Sequence, residues 1–250
     1  MNRLMMRLVP VLSLGYLSAT FADSFSLTDF QFDNLTADTN LTRLSCADRN
    51  LTHLDLSANT ALTWLDCGNN HLTNLDLSVN TNLSDLACFK NNLTNLNLFA
   101  NTNLTVLHCA FNRLQSLDLS ANAKLDHLIC DHNSLTNLDL SANTRLHYLL
   151  CNHNSLTSLD LSANTRLVIV YCDRNALTNL DLSANANLSR LLCDHNALTN
   201  LNLSANPNLR FVDCRSNPLV EIIVADTNDL PAEFHYSGHP WIREPQPLVP

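Results

Sequence analysis

The chain is predicted to fold as a β-rich solenoid of nine 21-residue coils with short parallel strands and little helix, on three observations. One 21-residue unit, clearest in LHYLLCNHNSLTSLDLSANTR at Leu146 to Arg166, is written nine times without a break from Leu41 to Asp229. Numbered from its first leucine the unit reads L-x-x-L-x-C-x-x-N-x-L-x-x-L-D-L-x-x-N-x-x, and positions 1, 4, 6, 11, 14 and 16 are apolar in all nine copies. Positions 3 to 5 and 13 to 16 alternate like strands, and the ten residues after position 11 are too few for a helix plus two turns. A period of this length means that each unit packs mainly on its neighbours.

The pattern resembles the leucine-rich repeat family, and within it the short nested bacterial class sometimes called IRREKO. The match spans 189 of 250 residues. The resemblance implies a right-handed coil of short parallel strands and, most often, protein binding, without naming a partner. Repeat 1 departs from the pattern by placing Arg49 where the ladder asparagine belongs, and repeat 9 loses its second half, reading VEIIVADTND.

Residues 1–22 carry basic Arg3 and Arg7, an apolar run from Leu8 to about Ala19, and Thr20-Phe21-Ala22 as a small-residue cleavage site. That is the pattern of a secretory signal peptide, and the run is shorter than the ~20 apolar residues of a membrane span. Residues 23–40 contain SLTDFQF, with Phe30 and Phe32 in leucine places, and read as an N-terminal cap over the first coil. The nine repeats occupy 41–229. Strands are expected on both sides of each coil, and at about 4.8 Å per parallel strand they stack to a rod of roughly 43 Å. Residues 230–250, with five prolines, are expected to lay Phe234, Tyr236 and Trp241 over the last coil as a cap before a Pro-rich tail.

With Lys+Arg 14 against Asp+Glu 23 the formal charge is -9, which disfavours nucleic acid or an anionic membrane surface as a partner. Only three glycines occur and only Gly68 lies inside the repeats, so the asparagine columns at positions 9 and 19 are expected to hold the turns, by tolerating left-handed backbone and bonding nearby peptide groups. All nine cysteines, Cys46 through Cys214, occupy position 6. Neighbouring parallel strands would hold their Cβ atoms about 4.8 Å apart, beyond the usual 3.5 to 4.5 Å of a disulfide, so they read as free, buried hydrophobes.

Two surfaces remain. Position 15 carries Asp55, Asp76, Asp118, Asp139, Asp160 and Asp181, an outward row that reads as a solvated stripe or as a cation- or lattice-binding face. The second half of the unit barely varies, whereas positions 2, 3, 5, 7, 8 and 10 change from copy to copy. The variable face gathers Trp64, His108, Phe111, His127, Ile129, His132, Tyr148, Leu150, His153, Ile169, Tyr171, Arg174, Arg190, Leu192, His195 and Phe211, side chains of the kind that form interfaces. Asp131-His132, Asn152-His153 and Asp194-His195 look like catalytic or zinc fragments, but no nucleophile with a base and an orienting group is legible. The reading is an exported, monomeric binding module, secreted or periplasmic, that engages a protein ligand through the variable face. It has no catalysis, no cofactor, no metal and no membrane insertion once the signal is removed. The competing reading is a structural or lattice-binding rod that uses the regular Thr/Asp/Ser face.

Overall fold

The structure, a computed structural model, describes residues 39–226, 230–238 and 240–245. The leader at 1–22, nearly all of the cap at 23–40 and the end of the tail at 246–250 lie outside the described residues. The remainder is a solenoid of parallel strands, with no helix among the described residues.

Positions 3 to 5 of the nine units form β1 (Arg43–Ser45), β2 (Trp64–Asp66), β3 (Asp85–Ala87), β4 (Val106–His108), β5 (His127–Ile129), β6 (Tyr148–Leu150), β7 (Ile169–Tyr171), β8 (Arg190–Leu192) and, after β9 (Asn200–Asn202), β10 (Phe211–Asp213). Each pairs in parallel with the same positions of the next coil. The six apolar columns all point inward. Every one of their residues belongs to one continuous core, or, for Leu41 and Leu51 of the first coil, packs against it. Burial of a large side chain is worth roughly 1.5 to 3 kcal/mol, most of which offsets chain ordering.

Three expectations change. The second side of the coil is extended but unpaired through most of the rod. Its direct backbone link there is one bond per coil, from the position-10 amide to the position-11 carbonyl of the preceding coil, as in His71 to Leu51 at 2.8 Å and Ser155 to Leu135 at 2.8 Å. Alternation of apolar residues reports which side chains face the core, and an unpaired extended chain satisfies it as well as a strand does. A second sheet forms only at the C-terminal end, from β9, β11 (Glu221–Ile223) and β13 (Trp241–Arg243).

The tail does not lie across the end of the rod. It makes a further coil, with β12 (Glu233–His235) pairing β10 and β13 pairing β11. Phe234 and Ile242 pack on the core, while Trp241, expected to cover it, is 76% exposed and Tyr236 42%. The leucine code disappears there because only the two inward positions of this coil need to be apolar.

Both asparagine ladders are present and differ in their bonding. At position 9, Asn154 accepts from the Leu135 amide of the preceding coil at 3.0 Å and donates to the carbonyls of Cys130, Cys151 and Asn152 at 3.0 to 3.2 Å. Arg49 lacks this side chain, and its amide is satisfied by Asn70 of the next coil at 3.0 Å. At position 19, Asn164 donates to Leu140 and Asn143 carbonyls at 3.1 and 2.9 Å, and its own Oδ1 is buried without a partner. The left-handed backbone expected of these columns falls instead on position 8, where all nine residues from Asp48 to Ser216 have φ between 48° and 59°. Apart from Asp48, Asn69 and Ser216 they are not turn formers, and such a conformation costs an ordinary residue roughly 1 to 2 kcal/mol. The bond from the position-8 amide to the next coil's position-7 carbonyl, 2.9 Å for Lys90 to Ala110, helps hold the turn in the first eight coils, and in the ninth the Ser216 amide donates to Ser237 Oγ at 2.8 Å.

Candidate functional site: the variable strand face

Because the strands pair in register, positions 3 and 5 form two columns, in each of which successive side chains sit about one strand spacing apart. His127, Tyr148, Ile169 and Arg190 follow one another in the first, and His108, Ile129, Leu150, Tyr171 and Leu192 in the second. Tyr148, Leu150, Tyr171 and Leu192 are partly exposed, as are His108, His127 and Arg190. Trp64, Ile129, Ile169 and Phe211 are not offered to solvent, with exposures of 3, 8, 4 and 7%. At this spacing large neighbours cover one another: Arg43 lies over the Trp64 ring at 4.8 Å, and Arg190 over Phe211 at 6.0 Å. His127 stacks on Tyr148 with ring centroids 4.4 Å apart.

The left-handed turn at position 8 brings a second file of side chains alongside. Phe111, His132 and His153 stack in sequence at 4.1 and 3.9 Å, with Arg174 and His195 in the next two coils. Stacked imidazoles keep their ring nitrogens in parallel planes, which does not converge them on one ion. No cluster of three or more His, Cys, Asp or Glu able to hold a metal occurs among the described residues. His153 is held down to about 4 by burial and by the neighbouring His132 and Arg174, and His108 to about 4 by burial.

Behind this file, position 7 supplies carboxylates whose burial sequence reasoning missed. Asp131, Asp173 and Asp194 are nearly inaccessible. Asp131 and Asp194 meet the Nδ1 atoms of His132 and His195 at 2.9 and 2.6 Å. Asp173 is pushed up to about 7 by its burial and by Asp194 beside it. Phe89 was also missed. It stacks on His108 at 4.6 Å and explains the sole repeat glycine, since a Cβ on Gly68 would come within 2.4 Å of the Phe89 ring. The signal for both lay in position 7, which changes from Gly to Phe to Asp along the chain.

The cysteine column faces inward. All nine are free and buried, and burial drives their thiols up, to about 12 for Cys46, Cys88 and Cys214. That leaves them without thiolate chemistry near neutral pH. The position-15 aspartates are exposed, and each accepts a bond from the position-17 amide at 2.9 Å, as Asp139 does from Ser141 and Asp160 from Ser162. These bonds hold their carboxyls below the usual range. Asn97 and Asn202 make the same bond where aspartate is absent. The row is therefore explained by turn closure, for which charge is not required.

No protein-family model and no curated protein matches the sequence. Solved structures do. The functional domain of InlJ from Listeria monocytogenes, which includes a cysteine ladder, aligns over 81% of this chain with 32% identity and a TM-score of 0.66. YopM from Yersinia enterocolitica aligns over 84% with 26% identity and a TM-score of 0.67. The leucine-rich repeat protein LIC12759 of Leptospira interrogans aligns over 74% with 20% identity and a TM-score of 0.61, a likeness of fold alone. This chain spans 54, 44 and 57% of those three chains respectively. With its unbroken 21-residue period, parallel strands, inward cysteine column and asparagine ladders, the chain belongs to the bacterial leucine-rich repeat proteins.

Proposed function

We propose that this chain is an exported binding module that recognises a protein through the variable face of repeats 4 to 8. The observation that carries the reading is the contiguous, partly exposed apolar patch of Tyr148, Leu150, Tyr171 and Leu192, set in register by the sheet. His127, His132, His153, Arg174, Arg190 and His195 surround it. A central aromatic and aliphatic patch ringed by polar groups is where interface energy concentrates. Ile169, between Tyr148 and Arg190 in the first column, is covered by its neighbours and acts by supporting them. His108 and Phe111 extend the surface toward the N-terminal coils, while the buried Trp64, Ile129 and Phe211 act by shaping it. Export rests on the charged, apolar and small-residue segments of 1–22, and the chain's negative charge favours a neutral or basic partner.

The test is capture of partners by the chain, followed by variants. Tyr148→Ala and Tyr171→Ala are each expected to weaken binding about thirtyfold, the equivalent of about 2 kcal/mol. Asp139→Asn and Asp160→Asn are expected to leave it unchanged, and they preserve the fold because asparagine closes the same turn at Asn97 and Asn202. Normal binding by the tyrosine variants with loss in the aspartate variants would place the interface on the opposite side.

A further inference from the structure

Both sheets of the rod stop in the same coil, the first at β12 and the second at β13, and each of these strands is paired on one side only among the described residues. A strand paired on one side presents a row of unsatisfied N–H and C=O groups on the other. Among the described residues nothing covers the core there. Phe234 and Ile242 continue the position-4 and position-14 columns, as their registers with Val212 and Ile222 show, yet both are only half buried. Trp241 and Tyr236 are exposed beside them.

We propose that this end of the rod binds the same end of a second copy, giving a tail-to-tail dimer about one twofold axis. The strands β12 and β13 lie on opposite sides of a single coil. A twofold axis running from one to the other, perpendicular to the rod, reverses both and sets each antiparallel to its own copy. One symmetry operation therefore pairs both edges, and the contact is self-complementary and closed.

The side chains fit this register. With the axis through Phe234 and Ile242, Glu233 of one copy faces His235 of the other, and Trp241 faces Arg243, each contact occurring twice. An acid meets an imidazole and a guanidinium meets an indole, both favourable cross-strand pairs. The chain already makes the second contact between its own coils, where Arg43 and Trp64 stand opposite each other in register at 4.8 Å. Glu221 holds the Arg243 guanidinium at the strand surface at 2.5 Å. Shifting the axis to Glu233 or to Arg243 would set like charges face to face. The dimer leaves the variable face of repeats 4 to 8 open and does not depend on what binds there.

Sedimentation equilibrium of the full chain tests the proposal. The expected result is a reversible, concentration-dependent doubling of mass. Glu233→Lys and Trp241→Ala should each weaken self-association by at least about tenfold, or 1.4 kcal/mol. Adding His235→Glu to Glu233→Lys exchanges the two partners and should restore it. Both residues are exposed edge positions, so circular dichroism should be unchanged in every variant. A single-chain mass at every concentration overturns the proposal, as does self-association that none of these variants alters. Failure of the double variant to recover overturns the register. Amide protection of Phe234 and Ile242 in the dilute, single-chain species would show that another part of the chain occupies the edge instead, since these two amides face the open edge while those of Glu233 and Trp241 bond to the preceding coil.

Discussion

The two asparagine ladders look alike in sequence but should differ in their worth, and Asn154→Ala against Asn164→Ala measures the difference. Among the described residues Asn154 is the only bonded partner of the Leu135 amide, so its removal strands one buried donor, at a cost of about 1 to 3 kcal/mol. The three carbonyls it serves keep other donors: Asn133 for Cys130, Asn175 for Cys151 and the His132 amide for Asn152. Losing three supplementary bonds adds about 1 kcal/mol, for a total of about 3 kcal/mol. Asn164 strands nothing. Leu140 and Asn143 carbonyls retain the amides of Asn143 and Leu146, and the substitution also removes a buried oxygen that has no partner. Its expected cost is about 1 kcal/mol. Both variants delete the same atoms, but Asn164 is fully buried and Asn154 only partly, so the larger cavity at Asn164 narrows the gap to about 1 to 2 kcal/mol. Urea unfolding followed by far-ultraviolet circular dichroism reads it, provided the denaturant slope is unchanged. Equal costs, or a larger cost at Asn164, would refute the bond accounting on which the distinction rests.

Three further predictions concern the variable edge. Asp173 keeps its proton up to about pH 7 in the fold, whereas an unfolded carboxyl titrates near 4, so the folded chain binds more protons across that window and this contribution to stability is lost as pH rises through it. Asp173→Asn should therefore raise the melting temperature at pH 8 more than at pH 5, and an equal effect at both pH values would contradict the burial argument. His108 and His153 act oppositely, since both titrate near 4 in the fold and near 6.5 when unfolded, so stability from them rises with pH between those values. At position 8, exposed Lys90 has φ 48°, and Lys90→Gly should stabilise by about 0.5 to 1 kcal/mol in chemical denaturation, since relief of the left-handed strain exceeds the entropy glycine adds to the unfolded chain. A destabilised variant would mean that the turn is not strained.

The core was legible residue by residue because burial repeats with the period, and all six inward columns lie where the leucines and cysteines put them. The exposed aspartates and the bonded asparagines were legible for the same reason. Position 8 was not. Lys90, Phe111, His153 and Arg174 have no common chemistry, and their shared conformation is imposed by the coils on either side rather than chosen by the side chains. The binding face was legible as a face, but not in depth. Nothing in the residue types distinguishes Ile169, which is covered, from Leu150, which is not, because coverage depends on what the adjacent coils happen to carry. The tail was the least legible, since a coil with two inward residues and a changed register leaves almost no periodic trace.

The ladders also bear on how such a chain changes length. Their side-chain bonds reach 19, 21 or 24 residues along the chain in coil after coil, as at Leu135 to Asn154, Asn164 to Asn143 and Asn154 to Cys130. Excising Leu146 to Arg166 would therefore hand each severed donor an equivalent acceptor one unit further on, and duplicating the same stretch would do likewise. Slippage during DNA replication, destructive in most genes, here trades in whole, self-consistent pieces. The binding face can thus be lengthened, shortened or reshuffled by recombination between copies without a folding intermediate that selection must first repair.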